Sequence, residues 1–166
     1  MGAEKRSAGL MMFRRAGEGI EVFLIHPGGP FFDKKDEGAW SIPKGESGPG
    51  ENPLEVAKHE FQEETGQAFE TCARTGSLIP LGSVRQPGGK TVEAWAFEGD
   101  WPAGAILRSN TFSIEWPPRS GGTRDFPEVD RGEFFPVTTA RGKINPAQSK
   151  LIERLLERLE PRATKP

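Results

Sequence analysis

Gly45-Glu46-Ser47-Gly48-Pro49-Gly50-Glu51-Asn52-Pro53-Leu54-Glu55-Val56-Ala57-Lys58-His59-Glu60-Phe61-Gln62-Glu63-Glu64-Thr65-Gly66-Gln67 joins a Gly- and Pro-rich loop to the clearest helix of the chain. The helix has readable ends. Asn52 is a good N-cap, Pro53 suits the first helical position, and Glu55 stands three residues after the cap, where a capping box places its acid. Gly66 fits the left-handed stop after the last turn. At about 100° per residue, Leu54, Ala57 and Phe61 fall on one apolar stripe, while Lys58 and Gln62 point away from it. Glu60 and Glu64 are four apart and Glu63 is three from Glu60, so three carboxylates share one side of the helix within an arc of about 100°. Two carboxylates about 6 Å apart repel by roughly 3 kcal/mol at an effective dielectric near 20. Solvation of an acidic face is one way to relieve that repulsion. A hard divalent cation is another, because Mg²⁺ favours carboxylate oxygens, keeps several waters and completes its shell with substrate phosphates.

Upstream, residues 7–13 and 21–26 read as two strands joined at Ala16-Gly17-Glu18-Gly19, and residues 27–38 as a loop in which Phe31 and Phe32 lack periodic support. Downstream, residues 78–85 and 92–97 flank the turn Gln86-Pro87-Gly88-Gly89-Lys90 as a second hairpin. Residues 111–116 and 133–137 are further strand candidates, and a last helix spans 146–159 with Leu151, Ile152, Leu155, Leu156 and Leu159 at helical spacing. Strands and helices interleave without regular βαβ alternation, which predicts an α/β fold with a mixed β-sheet between helices. The segment 100–125, with Arg108, Arg119 and Arg124, reads either as a specificity loop or as a dimer contact.

The 166 residues match one domain over 1–160, with 161–166 as a frayed tail. Hydrophobic residues at 34% and charged residues at 28% are an ordinary soluble composition, against both disorder and a membrane span. A net charge of -2 offers no excess for wrapping duplex nucleic acid. The single Cys72 excludes an intramolecular disulfide and a multi-thiolate metal site, as suits a reducing compartment. The apolar run at 10–13 is too short for a secretory signal, and Arg6 stands where a myristoylation signal after Gly2 requires Ser or Thr. The expected location is the cytoplasm.

The loop–helix stretch resembles the signature of the Nudix hydrolase family: Gly, five residues, Glu, seven residues, then Arg-Glu-apolar-x-Glu-Glu-x-Gly-apolar. Gly45, Glu51, Glu60, Phe61, Glu63, Glu64 and Gly66 match with every spacing intact. Six exact Gly or Glu identities at about 7% each, over ~150 windows, give a chance match on the order of 10⁻⁵. His59 departs from the family's Arg, and Gln67 from its apolar residue. Because a histidine donates only two hydrogen bonds and carries charge only when protonated, a more pH-sensitive site than the family norm is expected.

The resemblance implies an α/β/α sandwich and hydrolysis of a phosphoanhydride in a nucleoside diphosphate linked to another group, with Mg²⁺ as cofactor and Mn²⁺ as a substitute. It implies a carbonyl ligand at Gly45, side-chain ligands Glu60 and Glu64, and Glu63 as a further ligand or the water-activating base. A later glutamate often joins; Glu128 is the candidate, with Glu115 behind it. For substrate, Lys44 is the first cationic candidate, followed by Arg85 and Arg119. Phe31, Phe32 and Trp40 are candidates for stacking a base, with Trp95 and Trp116 also considered. Trp40-Ser41-Ile42-Pro43-Lys44-Gly45-Glu46 is most similar to the branch acting on dinucleoside polyphosphates such as diadenosine tetraphosphate. A nucleoside triphosphate fits the same engine. ADP-ribose, a nucleotide sugar or a capped RNA end is the alternative substrate, and a non-catalytic nucleotide-binding module the alternative class. The implied partner is a small-molecule nucleotide, with the chain a monomer or homodimer.

Other chemistries leave little trace. No Gly-x-Ser-x-Gly elbow is present, and His26 and His59 are the only histidines. Gly88-Gly89-Lys90-Thr91 lacks the first glycine of a phosphate-binding loop, since Val84 stands there, and reads as a turn.

Overall fold

The computed structural model describes residues 5–160. The tail expected at 161–166 lies outside them. Strand β1 (Arg6–Ala16) sets the frame, because its apolar residues alternate between two layers. Ala8, Leu10 and Met12 enter one core, and Met11 and Phe13 enter the other. Strand β2 (Gly19–Pro27) repeats the pattern, with Phe23 and Ile25 in the first core and Val22 and Leu24 in the second.

The remaining strands are β3 (Lys44–Ser47), β4 (Ile79–Gln86), β5 (Lys90–Glu98), β6 (Thr111–Glu115), β7 (Thr123–Pro127) and β8 (Val129–Pro136). Six of the eight form a mixed sheet in the order β4-β5-β1-β2-β8, in which β1 runs parallel to β5 and antiparallel to β2. The side of β1 away from β5 is shared: residues 6–9 pair with β3, and residues 13–16 pair with β2. Where β2 leaves β1, the chain at 43–47 takes its place. The other two strands, β6 and β7, form a separate hairpin.

Helices α1 (Pro53–Thr65) and α2 (Phe69–Cys72) cover one face of the sheet, and α3 (Val137–Lys143) and α4 (Ser149–Leu159) cover the other. The result is the α/β/α sandwich with a mixed sheet that the resemblance implied. Helix α1 is capped as its sequence predicts: Asn52 Oδ1 accepts from the N–H groups of Leu54 at 3.0 Å and Glu55 at 3.2 Å. Gly66 ends it at φ 80°. Ala57 and Phe61 are fully buried against the sheet, joined by Val56 and Thr65, and Glu60 and Glu64 lie on the flank of that face, next to β3.

Both expected hairpins and the last helix are present, the latter preceded by a 3₁₀ turn at Pro146–Gln148. The strand expected from 133 begins at Val129, and 88–91 is the β4–β5 turn region. Strands β3 and β7 and helices α2 and α3 had no readable local signal. Residues 44–47 are Lys-Gly-Glu-Ser, without apolar alternation, and pair only because β1 offers an edge there.

Candidate active site

The site is built where β3 crosses α1. The Lys44 backbone N–H donates to Glu64 Oε1 at 2.9 Å. One residue on, a Cβ at Gly45 would overlap the Glu60 carboxyl group, so only glycine lets the strand backbone approach that side chain. The loop ahead of the helix is closed by its own glutamate: Glu51 Oε1 accepts from the Gly48 N–H at 2.6 Å, and the Glu51 N–H donates to the Gly48 carbonyl at 3.2 Å.

Glu63 is held from the other side. Its carbonyl accepts from the Asn110 N–H at 3.1 Å, and its Oε2 accepts from Asn110 Nδ2. His59 Nε2 lies 3.2 Å from Glu63 Oε1, one helical turn away on a largely exposed side chain. Asn110 in turn accepts the Glu128 N–H at 2.8 Å through its carbonyl, and the Glu128 carbonyl accepts from the Gly28 N–H at 2.9 Å. One backbone relay therefore ties α1 to the β7–β8 junction and the 28–33 loop.

The electrostatics follow from this crowding. Burial pushes the Glu64 carboxyl up to about 8, the charges of Glu60 and Glu128 push the same way, and the Lys44 N–H and ammonium oppose them. Burial also raises Glu60, opposed by His59 and reinforced by Glu63, Glu128 and Glu51. Burial pulls Lys44 down against the pull of Glu64. Carboxyl groups whose charged form burial disfavours are thus concentrated in a half-buried place with one half-buried ammonium beside it.

Among the described residues no three His, Cys, Asp or Glu side chains form a ready metal cage. An oxygen-seeking divalent ion does not need one, since a hard cation that retains waters is held by one or two carboxylates plus substrate phosphates. Glu60 and Glu64, drawn onto the 44–45 backbone and carrying charge that burial disfavours, are a donor set that fits such an ion.

The structure brings Lys44, Gly45, Glu60 and Glu64 together, sets Glu63 beside them, and places Glu128 close enough for its charge to be felt by Glu60 and Glu64. Other expected residues lie elsewhere. Trp40 is 1% exposed, with its Nε1 donating to Asp36 at 2.8 Å and its ring edge-on to Phe135 and His26, so it is core and cannot stack a base. Arg85 is exposed at the end of β4, beside Pro146, Lys150 and Arg154 at the start of α4, with no contact to the carboxylates. Arg119 and Glu115 belong to the β6–β7 turn, where Glu115 accepts the N–H groups of Arg119 at 3.2 Å and Gly121 at 3.1 Å. Glu115 is thus engaged by its own hairpin turn.

Phe31 is 62% exposed, and Phe32 lies under Lys35 Nζ at 5.3 Å; neither contacts the carboxylates. Trp95 packs against the core beneath α1. Asn110 escaped the sequence reading because a single asparagine in a long loop carries no spacing that points to α1. The 100–125 segment is in fact divided: the Arg108 N–H closes on the Thr65 carbonyl at 3.0 Å, while residues from 111 on form the separate hairpin.

Comparison with known proteins agrees with this geometry. The family profile described as the NUDIX domain matches residues 3–155. A rat protein, bis(5'-nucleosyl)-tetraphosphatase (asymmetrical), is 35% identical over 100 residues, a match covering 56% of this chain and 64% of that protein. Among solved structures, a Caenorhabditis elegans Ap4A hydrolase binary complex superposes with a TM-score of 0.63 at 20% identity, covering 93% of this chain and 97% of the other. The NUDIX domain of Shewanella oneidensis NrtR complexed with ADP ribose superposes with a TM-score of 0.62 at 16% identity, covering 96% and 90%. The profile spans nearly the whole described chain, and Glu60 and Glu64 stand against the Lys44–Gly45 backbone: the chain belongs to the NUDIX family.

Proposed function

We propose that this chain is a Mg²⁺-dependent pyrophosphohydrolase, with Mn²⁺ as a substitute, that cleaves a phosphoanhydride in a dinucleoside polyphosphate or nucleoside triphosphate in the cytoplasm. The observation that carries this reading is the approach of Glu60 and Glu64 to the Lys44–Gly45 backbone, which gathers hard oxygen donors and one ammonium at a single place. The activity in the rat relative's name supports the choice of substrate.

In this mechanism Glu60, Glu64 and the Gly45 carbonyl would hold the ion, and Glu128 would add negative potential beside them. The bound cation supplies neutralisation of phosphate charge and acidification of water. Lys44 Nζ balances charge on the phosphate chain. Water attacks phosphorus, the bridging P–O bond breaks toward the departing nucleotide, and the water proton passes to Glu63, the one carboxylate of the three turned away from the 44–45 backbone. Asn110 Nδ2 fixes that carboxylate, and His59, exposed 3.2 Å away, relays the proton to solvent.

The test is incubation of the pure protein with Mg²⁺ and diadenosine polyphosphates, nucleoside triphosphates or ADP-ribose, with products resolved chromatographically beside Glu64→Gln. The expected result is ATP plus AMP from the tetraphosphate, abolished in the variant. Absence of metal-dependent turnover on every member overturns the reading.

A further inference from the structure

The β6–β7 hairpin carries a cluster of aromatic residues that neither hydrophobic core uses. Its register sets Phe112 opposite Phe126 and Ile114 opposite Arg124, so Phe112, Ile114, Trp116, Arg124 and Phe126 share one face. That face looks onto the 28–33 loop. The Phe31 ring meets Trp116 edge-on at 6.1 Å, Trp116 meets Phe126 edge-on at 6.3 Å, and the Arg124 guanidinium lies 5.2 Å from the Phe126 ring centre. Between hairpin and loop runs an open groove of about 420 Å³, lined by Trp116, Arg124, Phe126, Pro30, Asp33 and Asp130, a size typical of small-molecule sites.

We propose that this groove binds the base of a nucleotide, stacked on Trp116 with its edge against Phe126, and that an exocyclic amino group on the base is recognised by the acidic rim. The inference rests on the hydrolase reading only in taking that nucleotide to be the substrate. Three properties point to a base rather than to phosphate or to a peptide strand. Half-buried aromatic rings at an open groove, with an arginine beside them, are what planar heterocycles stack on. The rim carries two carboxylates, Asp33 and Asp130, beside Arg124, and Arg131 Nε lies 3.7 Å from Asp130, so Asp33 is the acceptor left for the N–H donors of a base edge. Asp33 has no ion-pair or hydrogen-bond partner among the described residues, while Asp130 is positioned by His26 Nδ1 at 2.8 Å.

Along the chain, the hairpin side of the groove adjoins the candidate active site. Phe126 and Pro127 lead directly into Glu128, so about 7 Å of extended backbone separates residue Phe126 from the acid beside the metal position. The Gly28 N–H bond to the Glu128 carbonyl joins the loop side of the groove to the same point. In this proposal the phosphates of a nucleotide with its base in the groove run past Glu128 toward Glu60 and Glu64.

Two measurements test this on the full chain. In the first, the indole N–H signal of Trp116, assigned with Trp116→Phe, is followed by NMR in metal-free protein titrated with adenosine, guanosine or ribose 5-phosphate. Either nucleoside is expected to shift it, with the buried Trp40 signal unmoved and ribose 5-phosphate without effect. In the second, Trp116→Ala is expected to raise KM for diadenosine tetraphosphate about tenfold, the loss typical of one stacked base, with kcat within about twofold. Phe31→Ala, at an exposed position that the fold does not need, raises KM about threefold. An unmoved Trp116 signal with both nucleosides, an equal shift with ribose 5-phosphate, or an unchanged KM in both variants overturns the proposal. If the wild-type protein hydrolyses nothing, the hydrolase reading fails on its own while the titration still decides the groove.

Discussion

Asn110 grips Glu63 twice, through its main-chain N–H to the Glu63 carbonyl at 3.1 Å and through Nδ2 to the Glu63 carboxylate. A residue 47 positions away in the chain thus fixes both the end of α1 and the orientation of one of its acids. Asn110→Ala keeps the main-chain bond and removes the other. The expected result is a fall in kcat of about 10–100-fold, the usual cost of losing a supporting hydrogen bond at such a centre, with KM changed little. Unchanged kcat in steady-state assays would show that Glu63 needs no such support.

Gly45→Ala tests the crossing of β3 over α1. The added Cβ must displace either the Glu60 carboxyl group or the strand, and overpacking of this kind costs about 1–3 kcal/mol. Thermal unfolding is expected at lower temperature, and turnover is expected to drop by more than about 100-fold because Glu60 is pushed from its place. Wild-type turnover with Ala at 45 would sink the assignment of Glu60 to the metal position.

Glu64 makes the metal-free protein pH-sensitive in a defined direction. Its carboxyl group titrates near 4.5 when unfolded and is pushed up to about 8 by burial in the fold, so the folded chain binds more protons between those values. Stability in EDTA should therefore be greatest below pH 4.5 as far as this group is concerned, and decline as pH rises toward 8, by up to about 5 kcal/mol. Glu64→Gln removes that slope. Urea unfolding of both proteins at pH 5 and pH 8 checks it, and parallel slopes in the two would refute it.

His59 occupies a position that normally carries arginine in the family signature, and it contacts Glu63 rather than Glu60 or Glu64. Histidine loses its charge within the neutral range, whereas arginine keeps it. His59→Arg is expected to extend the alkaline side of the kcat/KM profile. A superimposable profile would assign His59 to the solvated face of the helix.

Much of this could be read from residue order, because it depends on neighbours within a few positions. The caps Asn52 and Gly66, the buried stripe through Ala57 and Phe61, and the angular grouping of Glu60, Glu63 and Glu64 all follow from helix geometry acting on local spacing. The alternating residues of β1 and β2 likewise encode two faces, and hence a sheet covered on both sides.

What only the tertiary structure decided are the approaches between distant segments. Trp40 has the composition of a ligand-stacking residue in a loop, yet it is sealed in the core by Phe135 and His26, which arrive from other strands. Strand β3 exists because β2 diverges from β1 and leaves an edge for a segment with no strand pattern of its own. The Lys44 N–H at Glu64, the Asn110 amide at Glu63 and the hairpin face opposite Phe31 are set by packing across 20 or more residues. Backbone amides are chemically alike along the chain, so which of them meets a carboxylate is determined by where the folded layers bring the two together.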